Sequence, residues 1–141
     1  MEFKDKKGIY LQIAENLMDR FLEDPDGVYA DGASRGGTEE AGDPRLPSIR
    51  ETAEDLGVNP NTVMRSYSFL QELEIIYNKR GIGFFLSPEG RKRAMDWKKD
   101  EFIRVELPEV FRTMRLLDMK PDDLMDLYKD FSSREETNET E

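Results

Sequence analysis

Two helix starts and one helix stop are packed into "LPSIRETAEDLGVNPNTV", Leu46 to Val63. Ser48 with Glu51 three residues later makes a capping box, and Gly57 suits the left-handed residue that ends a helix. Asn59 is a preferred N-cap, and Pro60 directly after it has its φ preset for a first helical turn. The spacing predicts a short helix up to Gly57 and a second helix from about Pro60 to Leu73. On a helical wheel Val63, Ser66, Tyr67 and Leu70 share one side of that second helix, while Asn61, Arg65, Ser68 and Glu72 project from the other. One face has a core to fill and the other is left to face outward.

The flanking segments complete an order of elements. Ile9, Ile13, Leu17 and Phe21 recur every four positions, which predicts an amphipathic helix over residues 9 to 22. Residues 23 to 45 supply Gly, Pro, Asp and Glu with almost no apolar content, and read as a long mobile connection. After the paired helices, "IIYN" and "FFL" flank the glycines of "KRGIG", the pattern of a β-hairpin. Three helices followed by a hairpin are the order of a winged helix-turn-helix. Ser87 and Pro88 open a further helix, Pro108 kinks or restarts it, and Pro121 with Asp122 and Asp123 opens the last one. "SSREETNETE" has no apolar periodicity and reads as a disordered tail. The fold class is therefore mainly α with a small β-hairpin.

Composition narrows the chemistry. The 141 residues include no cysteine and no histidine, which removes disulfides, thiolate nucleophiles, imidazole acid-base chemistry and the usual zinc sites. Carboxylate pairs such as Glu39-Glu40 and Asp122-Asp123 have no phosphate loop, ligand cluster or nucleophile near them in sequence and read as solvated charge. The expectation is no enzyme, no catalytic residues, no cofactor and no metal. No apolar run approaches the roughly eighteen residues that span a bilayer, and "MEFKDKKGIY" is not followed by the apolar stretch of a signal peptide, so the chain reads as soluble and cytoplasmic, with no membrane partner.

The formal net charge of −10 argues at first against nucleic acid. Its distribution reverses that. Residues 23 to 43 hold seven acids against Arg35 alone, and residues 101 to 141 hold twelve acids against six bases, whereas residues 44 to 86 balance five against five. The acidity lies in a connection and at the C-terminal end, so the helix-turn-helix stretch remains compatible with DNA.

At the second helix start, backbone N–H groups and the positive dipole end suit a phosphate. Asn61 can pair with adenine, Thr62 can bond a phosphate or a thymine edge, and Arg65 one turn on can reach guanine or the backbone. The bland reading is that Asn59, Asn61 and Thr62 are all capping residues. Asn59 suits that role, and since one cap suffices, Asn61 and Thr62 are read as DNA contacts. Lys79 and Arg80 at the hairpin, beside glycines that permit close approach, read equally as phosphate contacts or as ordinary solubility charges.

"GIYLQIAENLMDRF" and "GDPRLPSIRETAEDLGVNPNTVMRSYSFLQELEIIYNKRGIGFFL" together resemble the N-terminal winged helix-turn-helix of the GntR family of bacterial transcription regulators, over residues 8 to 86. The short remainder and the "NPNTV" turn are similar to the YtrA-type subfamily, whose C-terminal part is a small helical dimerisation module. The resemblance implies a homodimer that binds a palindromic operator in double-stranded DNA and usually represses transcription, often of transporter genes. Carried across by position, the family's DNA contacts fall on Ser48, Arg50, Asn59, Asn61, Thr62, Arg65, Arg80 and Gly81. Three departures stand out: Pro60 and Met64 occupy positions where many members have arginines, the 23–45 connection is longer and more acidic, and Pro44 interrupts what is normally "GDRLPS".

The expected division is thus 1–86 as the DNA-binding domain with 23–45 as its acidic loop, 87–131 as a helical dimerisation module, and 132–141 as the disordered tail. Many apolar residues of the C-terminal segments, Phe102, Phe111, Leu117, Leu127 and Phe131 among them, lack a sheet to pack on and suit a self-complementary interface. The competing reading is a winged helix used only for protein–protein interaction. Nothing in the sequence identifies a small-molecule effector.

Overall fold

A computed structural model describes residues 8–23 and 43–140. Residues 24–42, most of the expected acidic connection, lie outside the described residues. The chain divides into two compact units, Met1–Lys99 and Asp100–Glu141.

In the first unit, helices α1 (Ile9–Glu23), α2 (Ile49–Leu56) and α3 (Pro60–Glu72) precede the hairpin β1 (Ile76–Lys79) and β2 (Gly83–Leu86), followed by α4 (Gly90–Glu101). The four-residue period of α1 buries Ile13, Leu17 and Phe21, with Ala14 and Met18 beside them, while Ile9 at the helix start stays 46% exposed. These meet Val63, Tyr67 and Leu70 of α3, and Leu46, Ala53, Ile75, Ile76 and Leu86 close the same core. The expected inner face of α3 is the observed one, Ser66 included. Helix α3 ends where Glu74 takes a left-handed conformation (φ 59) and the Ile75 N–H returns to the Leu70 carbonyl at 3.0 Å.

Three expectations change. The connection does not extend to residue 45: the Leu46 N–H donates to the Phe84 carbonyl, the Leu86 N–H donates to the Pro44 carbonyl, and Arg45 bridges Phe85, so this stretch runs antiparallel beside β2. Pro44 suits that edge because it contributes only its carbonyl. The boundary expected at residue 86 falls at 99, since α4 joins the first core. Ala94 is fully buried, Trp97 packs against the cluster, and Arg91 donates to the carbonyls of Phe21 and Leu22 at the end of α1. Helix α4 is mostly charged, and its few apolar residues do not announce that docking.

The second unit comprises a π-helical turn Phe102–Glu106, α5 (Leu107–Leu116) and α6 (Pro121–Thr140). Pro108 explains the π turn: it gives no N–H to the Arg104 carbonyl and its ring would crowd that oxygen, and the wider turn accommodates it, with the Leu107 N–H donating five residues back to Phe102. The expected disordered tail is the third correction, because α6 continues through residue 140. Residues 132–138 lack an apolar stripe but form local i,i+4 links, Arg134 to Asp130 at 2.7 Å and Thr137 to the Ser133 carbonyl. Among the described residues no helix is long and apolar enough to cross a membrane.

Candidate nucleic-acid interface

The helix-turn-helix is built by the caps that its sequence specifies. The Ser48 hydroxyl accepts from the Glu51 N–H and the Glu51 carboxylate accepts from the Ser48 N–H, both at 3.0 Å. The backbone hydrogen bond from Ser48, with its hydroxyl second, holds the Glu51 carboxyl below its ordinary range. Gly57 stops α2 in the left-handed region (φ 67), and both its N–H and that of Val58 turn back to the Ala53 carbonyl. The Asn59 side chain then accepts from the Asn61 N–H at 2.8 Å and opens α3.

Of the cluster, Asn59 is the residue whose side chain caps α3. Asn59 Oδ1 is engaged within the chain, leaving its amide NH2 as a donor. The Asn61 and Arg65 side chains, one turn apart, are both exposed, with Met64 half exposed beside them. Thr62 is half-buried, and its carbonyl, 3.1 Å from the Ser66 hydroxyl, shares that proton with the closer Tyr10 carbonyl. On α2, Arg50 is exposed and Ser48 half-buried; the Ser48 hydroxyl has accepted the cap bond and keeps its proton to donate.

A buried tyrosine ties these pieces together. The Tyr67 hydroxyl donates to the Pro47 carbonyl and lies 2.8 Å from Thr52 Oγ1, joining α3 to the start and middle of α2. Its ring meets Phe84 edge-on at 4.9 Å, which seats the hairpin against α3. The hairpin pairs Ile76 with Leu86 through Lys79 with Gly83, so Lys79 closes strand β1 and the tip is Arg80, Gly81 and Ile82. The Ile82 N–H closes a tight turn on the Lys79 carbonyl at 2.9 Å, and Gly81 at its third position has φ 80, the left-handed conformation that a type II turn requires there.

No family model matches the chain. Over 131 residues it is 30% identical to the HTH-type transcriptional regulator YhcF of Bacillus subtilis, an overlap that covers 93% of this chain and 95% of that one. A solved structure of a GntR-family transcriptional regulator from Bacteroides thetaiotaomicron is similar at 37% identity and a TM-score of 0.65, covering 91% of this chain and 99% of that chain. The chain belongs to the GntR family. It is a DNA-binding transcriptional regulator rather than an enzyme. Over a shorter stretch of 54 residues, 38% of this chain and 42% of the relative, it is 37% identical to the transcriptional repressor YtrA of Bacillus subtilis.

Two features of this GntR-family regulator escaped the sequence. Arg45 lay in what read as a loop, yet its guanidinium packs across the wing: a Cβ on Gly83 would stand 3.0 Å from Arg45 Nε. Tyr10 of α1 stands outside the four-residue apolar period, yet its ring carries Arg65, whose guanidinium carbon sits 4.0 Å from the ring centre. A basic residue preceding "LPS" was a visible signal for the first. The second joins positions 55 residues apart and had no local signal.

Proposed function

We propose that this regulator is a repressor of the YtrA type that acts in the cytoplasm, binds a palindromic operator as a homodimer, and controls transporter genes. The observation that carries the reading is the exposed face of α3. With Asn59 serving as the cap, Asn61, Thr62 and Arg65 are available to base edges in a major groove. Ser48, Arg50 and Asn59 on the helix-turn-helix, and Lys79, Arg80 and Gly81 on the wing, are assigned to phosphates, and Arg45 at the wing's base joins them. Pro60 and Met64, in place of the arginines that many members carry, give it an operator unlike theirs.

Dimerisation is assigned to residues 100–141. Helices α5 and α6 flank an apolar groove of about 670 Å³ lined by Phe111, Met114, Leu124, Met125 and Tyr128 among others. Leu116 is 85% exposed and Phe131 60%. So much exposed apolar surface in so small a unit fits an isologous contact with a second copy, which a two-half-site operator also requires.

Footprinting on the promoter of its own gene tests the reading. Protection of two inverted half-sites about one helical turn apart is expected, together with a dimer in sedimentation. An unprotected promoter at low salt and micromolar protein, or a monomer at that concentration, overturns it.

A further inference from the structure

We propose that Tyr10 is a positioning residue for DNA recognition, holding the Arg65 guanidinium in its reading orientation before DNA arrives; this rests on the assignment of α3 as the recognition helix. The Tyr10 carbonyl accepts from the fully buried Ser66 hydroxyl at 2.7 Å, which pins the start of α1 to the middle of α3. The ring meets Phe69 edge-on at 6.2 Å, and Phe69 meets Trp97 of α4 in the same way at 5.8 Å. Tyr10 is thus a platform fixed by three helices.

Arg65 lies over that platform at 4.0 Å. Stacking uses the flat face of a guanidinium and leaves the N–H edge, which makes the bidentate contacts to guanine or phosphate, pointing away from the ring. A long side chain on an exposed helix face otherwise loses its rotamer freedom on binding, and a side chain already held loses less. Ser66 and Phe69 follow Arg65 on α3, so the residues that anchor the platform and the residue that uses it belong to one helix. The contacts to Ser66 and Phe69 thus tie the Tyr10 platform to the same helix that carries Arg65.

The test compares Tyr10→Phe and Tyr10→Leu, each in the parent and in an Arg65→Ala background, for affinity to the footprinted operator and to unrelated duplex. Tyr10→Leu is expected to weaken operator binding roughly two- to fivefold and to reduce discrimination against unrelated duplex. Tyr10→Phe keeps the π face and binds like the parent. In the Arg65→Ala background Tyr10→Leu has no further effect, because the residue it acts through is gone. An equal loss in both backgrounds assigns Tyr10 a purely structural role and overturns the proposal. So does a loss in Tyr10→Phe matching that in Tyr10→Leu, which transfers the effect to the hydroxyl.

A second measurement needs neither DNA nor the leucine variant. The Arg65 side-chain protons should resonate upfield in the free protein and in Tyr10→Phe, from the ring current above the aromatic face; ordinary shifts in both overturn the stacking itself. If those shifts are present but Arg65→Ala binds the operator like the parent, the recognition role of Arg65 fails, and the positioning role with it.

Discussion

Tyr67 and Thr52 share a buried hydrogen bond, 2.8 Å between their hydroxyl oxygens, at the crossing of α2 and α3. Because the single Tyr67 proton goes to the Pro47 carbonyl, Thr52 is the donor in this pair. Tyr67→Phe strips a partner from each end of that chain and should cost about 1–3 kcal/mol of stability, measured by denaturant unfolding. A loss below a few tenths would mean that water replaces the hydroxyl at both sites.

The same residue sets an alkaline limit. Burial pushes the Tyr67 phenol up to about 12 from 10.0, against the opposing hydrogen bond from Thr52. Below pH 10 both folded and unfolded forms keep the proton, and the contribution is fully present. Between pH 10 and 12 only the unfolded chain releases it, so stability falls as pH rises through that window. Unfolding free energies measured across it should fall more steeply for the parent than for Tyr67→Phe, and parallel curves would refute the assignment.

Gly57 and Gly90 should respond very differently to alanine. At Gly57 nothing lies within 4 Å of an added Cβ, so only the left-handed φ of 67° opposes it, worth about 1 kcal/mol. At Gly90 the Cβ would stand 2.3 Å from the Ile75 carbonyl oxygen, which is itself held by the Ser87 N–H. Gly90→Ala must displace backbone and should cost about 3 kcal/mol, the upper end of overpacking. Thermal melts of the two variants check the order.

The cap of α2 predicts an acid effect. Ser48→Ala should lose about 1 kcal/mol at neutral pH. The Glu51 carboxyl is held below its ordinary value of 4.5 by the Ser48 backbone and hydroxyl, so its contribution is present above 4.5 and fades as pH falls through the lowered value. The stability curves of the parent and Glu51→Gln should therefore converge as pH falls from 4.5 through that lowered value, and a constant gap would exclude this source.

On DNA, Arg65 and Arg80 should separate by kind of loss. Arg65→Ala should cost about 1–3 kcal/mol and relax base preference, whereas Arg80→Ala should weaken all duplexes alike and reduce the salt slope by about one. Titrations at several salt concentrations on operator and unrelated duplex distinguish them. Loss of base preference in Arg80→Ala would move the reading surface to the wing.

What was legible in the sequence was whatever neighbouring residues settle among themselves. The Ser48–Glu51 box, the Gly57 stop and the Asn59-Pro60 start are contacts between residues two to four apart, and each stands where its spacing placed it. The periods of α1 and α3 likewise chose the faces that reach the core. Less legible were segments whose role depends on a distant surface. Helix α4 joins the first unit because Ala94 and Trp97 find the core made by α1 and α3, and because Gly90 fits under the Ile75 carbonyl.

The sequence by itself thus determined the helix-turn-helix, its wing and the outward face of α3, since capping, turn chemistry and apolar period are local free energies. Only the tertiary structure decided that residues 44 to 46 extend the wing, that α4 belongs with the first core, and that Tyr10 carries Arg65. Those are contacts between positions far apart in the chain. Their partners come within reach only when the core has closed, and no pattern within one segment encodes them.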